Sequence, residues 1–169
     1  LNNSYENLAS FIEKITSTGL ETIIIHARIA LLKGLSPKQN RTVPPLNYDF
    51  VYRIKQQMPE LNIVINGGIE SVEQAQNHLN HVDGVMLGRA IWNNPWLLHD
   101  LQEGLFAQTV DNSRDNVLKQ YQDYCEGQLQ QGVKLHWLIS PILNLYHGLA
   151  GNKKWKNYLV TQSDNYQND

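Results

Sequence analysis

Residues 66–89 read NGGIESVEQAQNHLNHVDGVMLGR, and the reading of this stretch decides the fold. Two short apolar runs lead into its two glycine turns: Ile63-Val64-Ile65 stops at Asn66-Gly67-Gly68, and Gly84-Val85-Met86-Leu87 stops at Gly88-Arg89. Apolar runs of this length that end in glycine read as buried strands. Between them, Ser71 and Gln74 have capping-box spacing for a helix running to about Leu79. Strand, tight turn, helix, strand implies a parallel pair, because antiparallel neighbours need only a hairpin. Both glycine turns then lie at the same edge of one sheet. Glycine lets the main chain approach a ligand, a following helix N-terminus favours an anion, and Arg89 supplies a fork of donors suited to phosphate. Gly67, Gly68 and Gly88 as ordinary turn residues are the alternative; their spacing and Arg89 favour an anion site.

Upstream, Leu8, Phe11, Ile12 and Ile15 follow helical spacing behind a cap at Asn3 or Ser4, and the helix ends near Gly19. Thr22-Ile23-Ile24-Ile25 is a further buried strand, ending in His26-Ala27-Arg28, which places an imidazole and a guanidinium at a strand end. The segment from about Leu32 to Leu46 contains Gly34, Pro37, Pro44 and Pro45 and is too long for a plain connection, a common mark of a functional loop. A helix from Tyr48 to about Met58, with Phe50, Val51 and Ile54 inward, is stopped by Pro59. Helices alternating with three parallel strands make an α/β fold.

Downstream, Asn94 and Pro95 restart a strongly apolar helix carrying Trp96, Leu97, Leu98 and Leu101. A domain boundary is expected near residue 108, with a polar turn over Thr109 to Asn112, because no later run resembles a strand. Val117, Leu118, Tyr121, Tyr124 and Leu129 trace one helical stripe, and Leu135 to Leu149 trace another, kinked at Pro141. A last helix starts near Asn152, with Trp155 and Leu159 facing a bundle and Lys153 and Lys156 on a different face. The organisation expected is residues 1–108 as an α/β portion and 109–169 as a helical domain.

The 169 residues are 41% hydrophobic, enough for one substantial core. No apolar run approaches the roughly 18 residues of a membrane span, and no signal-peptide pattern opens the chain, so a cytosolic location is expected. A single cysteine, Cys125, rules out an internal disulfide and a cysteine-rich metal site. The chain begins at Leu1 without methionine, which points to a fragment. Net charge is −2, yet two blocks hold no acid. Thr22 to Tyr48 carries Arg28, Lys33, Lys38 and Arg41, and Gly127 to Ser163 carries Lys134, Lys153, Lys154 and Lys156. Such blocks suit a polyanion, although solvated surface is the commoner origin of any single one.

Parallel α/β folds bind ligands at the carboxyl ends of their strands, where His26, Asn66 to Gly68 and Gly88-Arg89 all fall. The dinucleotide fingerprint G-x-G-x-x-G is absent, so a (β/α)8 barrel, whose last two strand-end loops commonly hold a phosphate, is favoured over a doubly wound sheet. His26 taken alone is as compatible with a structural role as with a ligand.

The motifs IIIHAR at 23–28, GLSPKQNR at 34–41, PPL at 44–46, INGGI at 65–69, DGVMLGR at 83–89 and GNKKWK at 151–156 stand in an order that resembles the tRNA-dihydrouridine synthases, most closely their A subfamily. The resemblance covers nearly the whole chain. It implies the C-terminal half of an FMN-binding (β/α)8 TIM barrel, holding its last three strands, followed by an all-α helical bundle that binds tRNA. The implied reaction reduces a uridine of the tRNA D-loop: NADPH reduces FMN, the flavin delivers hydride to uracil, and a cysteine donates the proton. Carried over by position, Asn66, Gly67, Gly68, Gly88 and Arg89 hold the FMN phosphate and His26 contacts the flavin. Lys38, Arg41, Lys153 and Lys156 contact tRNA. The family usually has arginine at the last two positions, and lysine keeps the charge without the planar fork.

The family's proton-donating cysteine and its flavin-contacting lysine lie in the barrel's first half, outside this chain. Cys125, placed mid-helix between Tyr124 and Glu126, is a structural thiol. The expectation is therefore an isolated fragment without activity, marginally stable at its open sheet edges, of a parent enzyme that is monomeric when complete and requires neither metal nor membrane. Two rival readings remain, a non-catalytic tRNA-binding module and another phosphate-binding barrel enzyme acting on a small molecule. The basic blocks weigh against the second.

Overall fold

Three strands pairing in parallel, in the order of the sequence, frame the chain's α/β portion. The computed structural model describes residues 4–29, 31, 34–106 and 113–166. Contacts divide the chain into two compact units, Leu1–Leu87 and Gly88–Asp169.

The first unit runs α1 (Tyr5–Thr16), β1 (Thr22–His26), α2 (Pro37–Asn40), α3 (Tyr48–Gln57), β2 (Asn62–Asn66), α4 (Val72–Leu79) and β3 (Gly84–Met86). Register aligns Ile24 with Val64 and Gly84, and His26 with Asn66 and Met86. Ile63 and Ile65 of β2 are fully buried, and Ile12, Val51, Ile54 and Ala75 from the helices share that core. Alternation puts Ile24 and Met86 on the other face, where they are 56% and 45% exposed. The sheet is therefore covered on one side only among the described residues.

Side-chain caps set helix starts, at Ser4 and Ser71 as the spacing predicts and at Asn47 in addition: each accepts a hydrogen bond from the backbone N–H three residues on. The box at Ser71 differs in one partner. Gln74 reaches back to the N–H of Glu70 at 2.7 Å instead of that of Ser71. The segment expected to be more than a plain connection contains α2, where Ser36 and Gln39 form a complete capping box and Pro37 occupies the first turn. Leu32 and Lys33 lie outside the described residues. Asp83 closes the far end of the sheet: its carboxylate accepts from Ile63 N–H at 2.8 Å and pairs with Lys55 at 2.9 Å.

The second unit contains α5 (Arg89–Asn93), α6 (Leu97–Phe106), α7 (Arg114–Gln130), α8 (Leu135–Ile139) and α9 (Asn152–Tyr166). Position 108, where a domain boundary is expected, lies within the range of this unit, and α5 and Trp96, just ahead of α6, each touch later residues. Asn144 donates to the Trp92 carbonyl at 2.9 Å, and the Arg114 guanidinium lies 4.2 Å from the centre of the Trp96 ring. The turn expected over Thr109 to Asn112 lies outside the described residues. α6 starts at Leu97 rather than Pro95, since the buried Asn94 Oδ1 has no partner and does not cap.

Two expectations change here. Tyr124 is 53% exposed, so it leaves the inward stripe of α7. The stripe from Leu135 to Leu149 is broken, not merely kinked: α8 ends at Ile139, a 3-10 turn covers Ser140–Ile142, and turns follow. Pro141 lacks the N–H that a continuing helix needs and crowds the preceding turn.

Candidate functional site

The carboxyl edge of the sheet gathers four of the residues singled out from the sequence. Asn66 is its hub. Its Nδ2 donates to the Met86 carbonyl at 2.8 Å, which fixes the orientation of the amide, and its Oδ1 lies 2.5 Å from His26 Nδ1. An amide oxygen only accepts, so Nδ1 of His26 carries the proton. In the neutral ring Nε2 is then the lone-pair nitrogen. His26 is exposed, which leaves that acceptor accessible.

Gly67 and Gly68 follow with φ of 119° and 71°, values that side-chain-bearing residues rarely adopt. A Cβ at Gly67 would come 2.9 Å from Leu46 Cδ2, and one at Gly68 would come 2.6 Å from Leu46 Cδ1. Tyr48 completes the support by donating from its hydroxyl to the Gly67 carbonyl at 2.8 Å. Burial raises the phenol's pKa, Arg28 opposing and Glu70 adding to the shift, so the hydroxyl keeps its proton. Among the described residues neither the Gly67 nor the Gly68 N–H has an acceptor. Adjacent unpaired amides in such a turn form an anion-binding concavity. The end of α4 adds less than its position promised, because Ser71 already caps it and Glu73 stands in its first turn. An anion here is held by the turn's own amides.

Arg28, also noted at a strand end, turns away to brace the long loop. Its Nη1 donates to the carbonyls of Thr42, at 3.3 Å, and Pro44. Arg28 also bridges to Leu46, and Asn47 N–H donates to the Ala27 carbonyl at 2.8 Å. The braced loop presents Lys38 on α2 and Arg41 at its C-cap, both exposed.

The remaining candidates belong to the second unit. Gly88 precedes α5 with φ of −125°, and a Cβ there meets nothing within 4 Å. Arg89 is the exposed first residue of α5. On α9, Lys153 is exposed and Lys156 half-buried. Burial pushes the Cys125 thiol up, only partly offset by its hydrogen bond with Tyr121, so it is not a thiolate near neutral pH. The described residues contain no cluster suited to a metal ion and no helix long and apolar enough to cross a membrane.

Sequence reasoning missed Leu46 and Tyr48 as supports of the glycine turn. The signal present was the rigid Pro44-Pro45 pair just before them, which implies a fixed path for the chain. The pairing of His26 with Asn66 left no signal, since parallel register is set by the whole sheet.

A family model described as Dihydrouridine synthase (Dus) matches residues 1–168. Curated relatives named tRNA-dihydrouridine(20/20a) synthase include proteins of Xanthomonas campestris pv. campestris, 45% identical over 93% of this chain and 47% of the relative. Those of Shewanella oneidensis and Synechocystis sp. are 46% and 41% identical over the same shares. The chain thus spans about half the length of the curated relatives it matches.

Proposed function

Because the chain belongs to the dihydrouridine synthase family, we propose that it is the C-terminal half of a flavin-dependent oxidoreductase that reduces a D-loop uridine of tRNA. The relatives' names carry the positions 20 and 20a, and we extend those positions to this protein. On this reading residues 1–108 are the last three strands of a (β/α)8 barrel and 109–169 are the helical tRNA-binding domain. The uncovered sheet face at Ile24 and Met86 supports the first assignment, since a closed barrel buries that face.

The observation that carries the proposal is the Asn66 hub beside the Gly67-Gly68 turn. The turn's two amides fit the phosphate of FMN, and the accessible Nε2 of His26 fits a polar edge of the flavin. By family position Gly88 and Arg89 also hold the phosphate, Arg89 as a charge-assisted donor. When bound, FMN reduced by NADPH supplies hydride to uracil. Asn66 orients the His26 ring, Tyr48 and Leu46 hold the turn's shape, and Lys38, Arg41, Lys153 and Lys156 bind tRNA phosphates. The proton-donating cysteine is supplied by the other half, and the complete protein acts as a cytoplasmic monomer without metal.

Reconstitution tests this. The 169-residue chain, given FMN, NADPH and unmodified tRNA, is expected to yield no dihydrouridine, and co-expression with the N-terminal half of a relative is expected to restore it. Robust turnover by the chain alone overturns the half-enzyme reading. Salt-dependent tRNA binding without FMN binding, even after co-expression, points instead to a non-catalytic RNA-binding module.

A further inference from the structure

α9 docks through one side only. Trp155 and Leu159 are half-buried, Ser163 is 3% exposed, and the Trp155 indole donates to the Ile142 carbonyl at 3.0 Å. Helical geometry puts Lys153, Lys154, Asn157, Tyr158 and Thr161 on the opposite side, and all five are exposed. Tyr158 is 62% exposed and sits one turn after Lys154, so ring and ammonium are neighbours on the surface. No acid occurs between Gly127 and Ser163. Among the described residues neither Lys153 nor Lys154 has a carboxylate partner.

We propose that this outer face of α9 is an RNA contact in which the Tyr158 ring stacks on an unpaired nucleotide while Lys153 and Lys154 hold the flanking phosphates. The inference rests on the tRNA-binding reading and adds Lys154 and Tyr158 to it. Uncompensated lysines select a polyanion. A protruding ring beside Lys154 selects an unstacked base over a duplex, because a paired base has no free π-face to offer. A single exposed tyrosine is ordinary by itself. Its place one turn from a lysine, with the acid of this face, Asp164, six residues further on, is what assigns it to RNA.

Fluorescence anisotropy of a labelled, unmodified tRNA transcript titrated with the 169-residue chain tests the assignment, with Y158A, Y158F, K154A and the K153A/K156A pair. Y158A is expected to weaken binding about five- to one-hundred-fold, the contribution of one base–ring stack, without changing the salt slope, and Y158F to bind like the parent. K154A is expected to lower the salt slope by about one. A perfect RNA duplex is expected to bind Y158A and the parent equally. Parent-like binding of tRNA by Y158A, or equal losses in Y158A and Y158F, overturns the stacking role. If K153A/K156A weakens tRNA binding while K154A and Y158A do not, the tRNA reading stands and the present inference falls. If none does, or the chain prefers vesicles of anionic phospholipid to RNA, both fall. Circular dichroism melting of each variant checks that loss of binding is not loss of fold.

Discussion

His26 and Asn66 stand opposite each other in the parallel register, with Nδ1 2.5 Å from Oδ1. One amide thereby selects the histidine tautomer on a first strand while holding the main chain of a third. N66A removes both bonds. Nitrogen-15 NMR of the imidazole is expected to show Nδ1 protonated in the parent and a mixture richer in Nε2–H in the variant. The flavin affinity of the reconstituted enzyme is expected to fall roughly tenfold, as for loss of one oriented hydrogen bond. An unchanged tautomer in N66A refutes the orienting role.

Gly68 and Gly88 separate structural need from ligand need. At Gly68 a methyl group meets Leu46 at 2.6 Å on a backbone with φ of 71°, so G68A is expected to lose about 1–3 kcal/mol in urea unfolding. At Gly88 a methyl group meets nothing, so G88A should unfold within about 0.5 kcal/mol of the parent. If G88A nevertheless loses flavin in the reconstituted enzyme, close approach of the phosphate is the cause. If it binds flavin like the parent, Gly88 is only a turn residue.

Much of this was legible in the sequence. The apolar runs, the glycine turns that end two of them and the Ser71 cap are local signals, and the strands and α4 fall where those signals put them. What stayed hidden is long-range. Tyr48 reaches Gly67 across nineteen positions, and Arg28 folds back on Pro44 across sixteen. Neither contact leaves a periodic trace, because each depends on how a loop is folded onto the sheet edge. Pro141 was visible, yet whether a proline kinks or ends a helix depends on what the next turn packs against.

The loop braced by Arg28 gives a second test. R28K cannot serve two carbonyls with a planar fork. Limited proteolysis within residues 34–43 is expected to accelerate several-fold, and tRNA affinity to drop with it through Lys38 and Arg41, while the remainder of the chain stays protected. Parent-like cleavage in R28K means the bridge at Leu46 suffices.

His78 makes stability depend on pH. Buried on α4, with Nδ1 2.7 Å from the Tyr52 hydroxyl, it is held below the ordinary value of 6.5 by desolvation and secondarily by His81. The unfolded chain therefore takes up the proton first as acidity rises. This contribution to stability is complete above pH 6.5 and is lost as pH falls from there through the lower folded value. Urea midpoints measured from about pH 7.5 down to about pH 5.5 are expected to decline less steeply in H78Q than in the parent. Equal slopes assign the decline to other groups.

Asp83 acts further into acid. Desolvation pushes its pKa up, but the hydrogen bond from Lys55 and the Ile63 N–H outweigh it and hold the carboxyl below 3.8. Its stabilisation is present above that value and disappears as pH falls through the folded one. D83A takes the shared acceptor away from Lys55 and the Ile63 N–H and is expected to cost about 1–2 kcal/mol at neutral pH, read as a lower urea midpoint. A midpoint within error of the parent excludes Asp83 as a clamp on the sheet.

If the loop carrying Lys38 and Arg41 contacts tRNA as proposed, the insertion of Leu46 against Gly67 and Gly68 bears on how RNA preference can be re-engineered in this scaffold. A transplanted loop that ends at Leu46 brings its own wedge into the glycine turn and deforms it, so on the proposed reading of the turn flavin affinity shifts along with RNA preference. Cut points between Gly34 and Val43 leave the wedge and the Tyr48 strut in the host. Within those limits the segment behaves as an exchangeable cassette, whereas grafts extending to Leu46 must bring a matched turn with them.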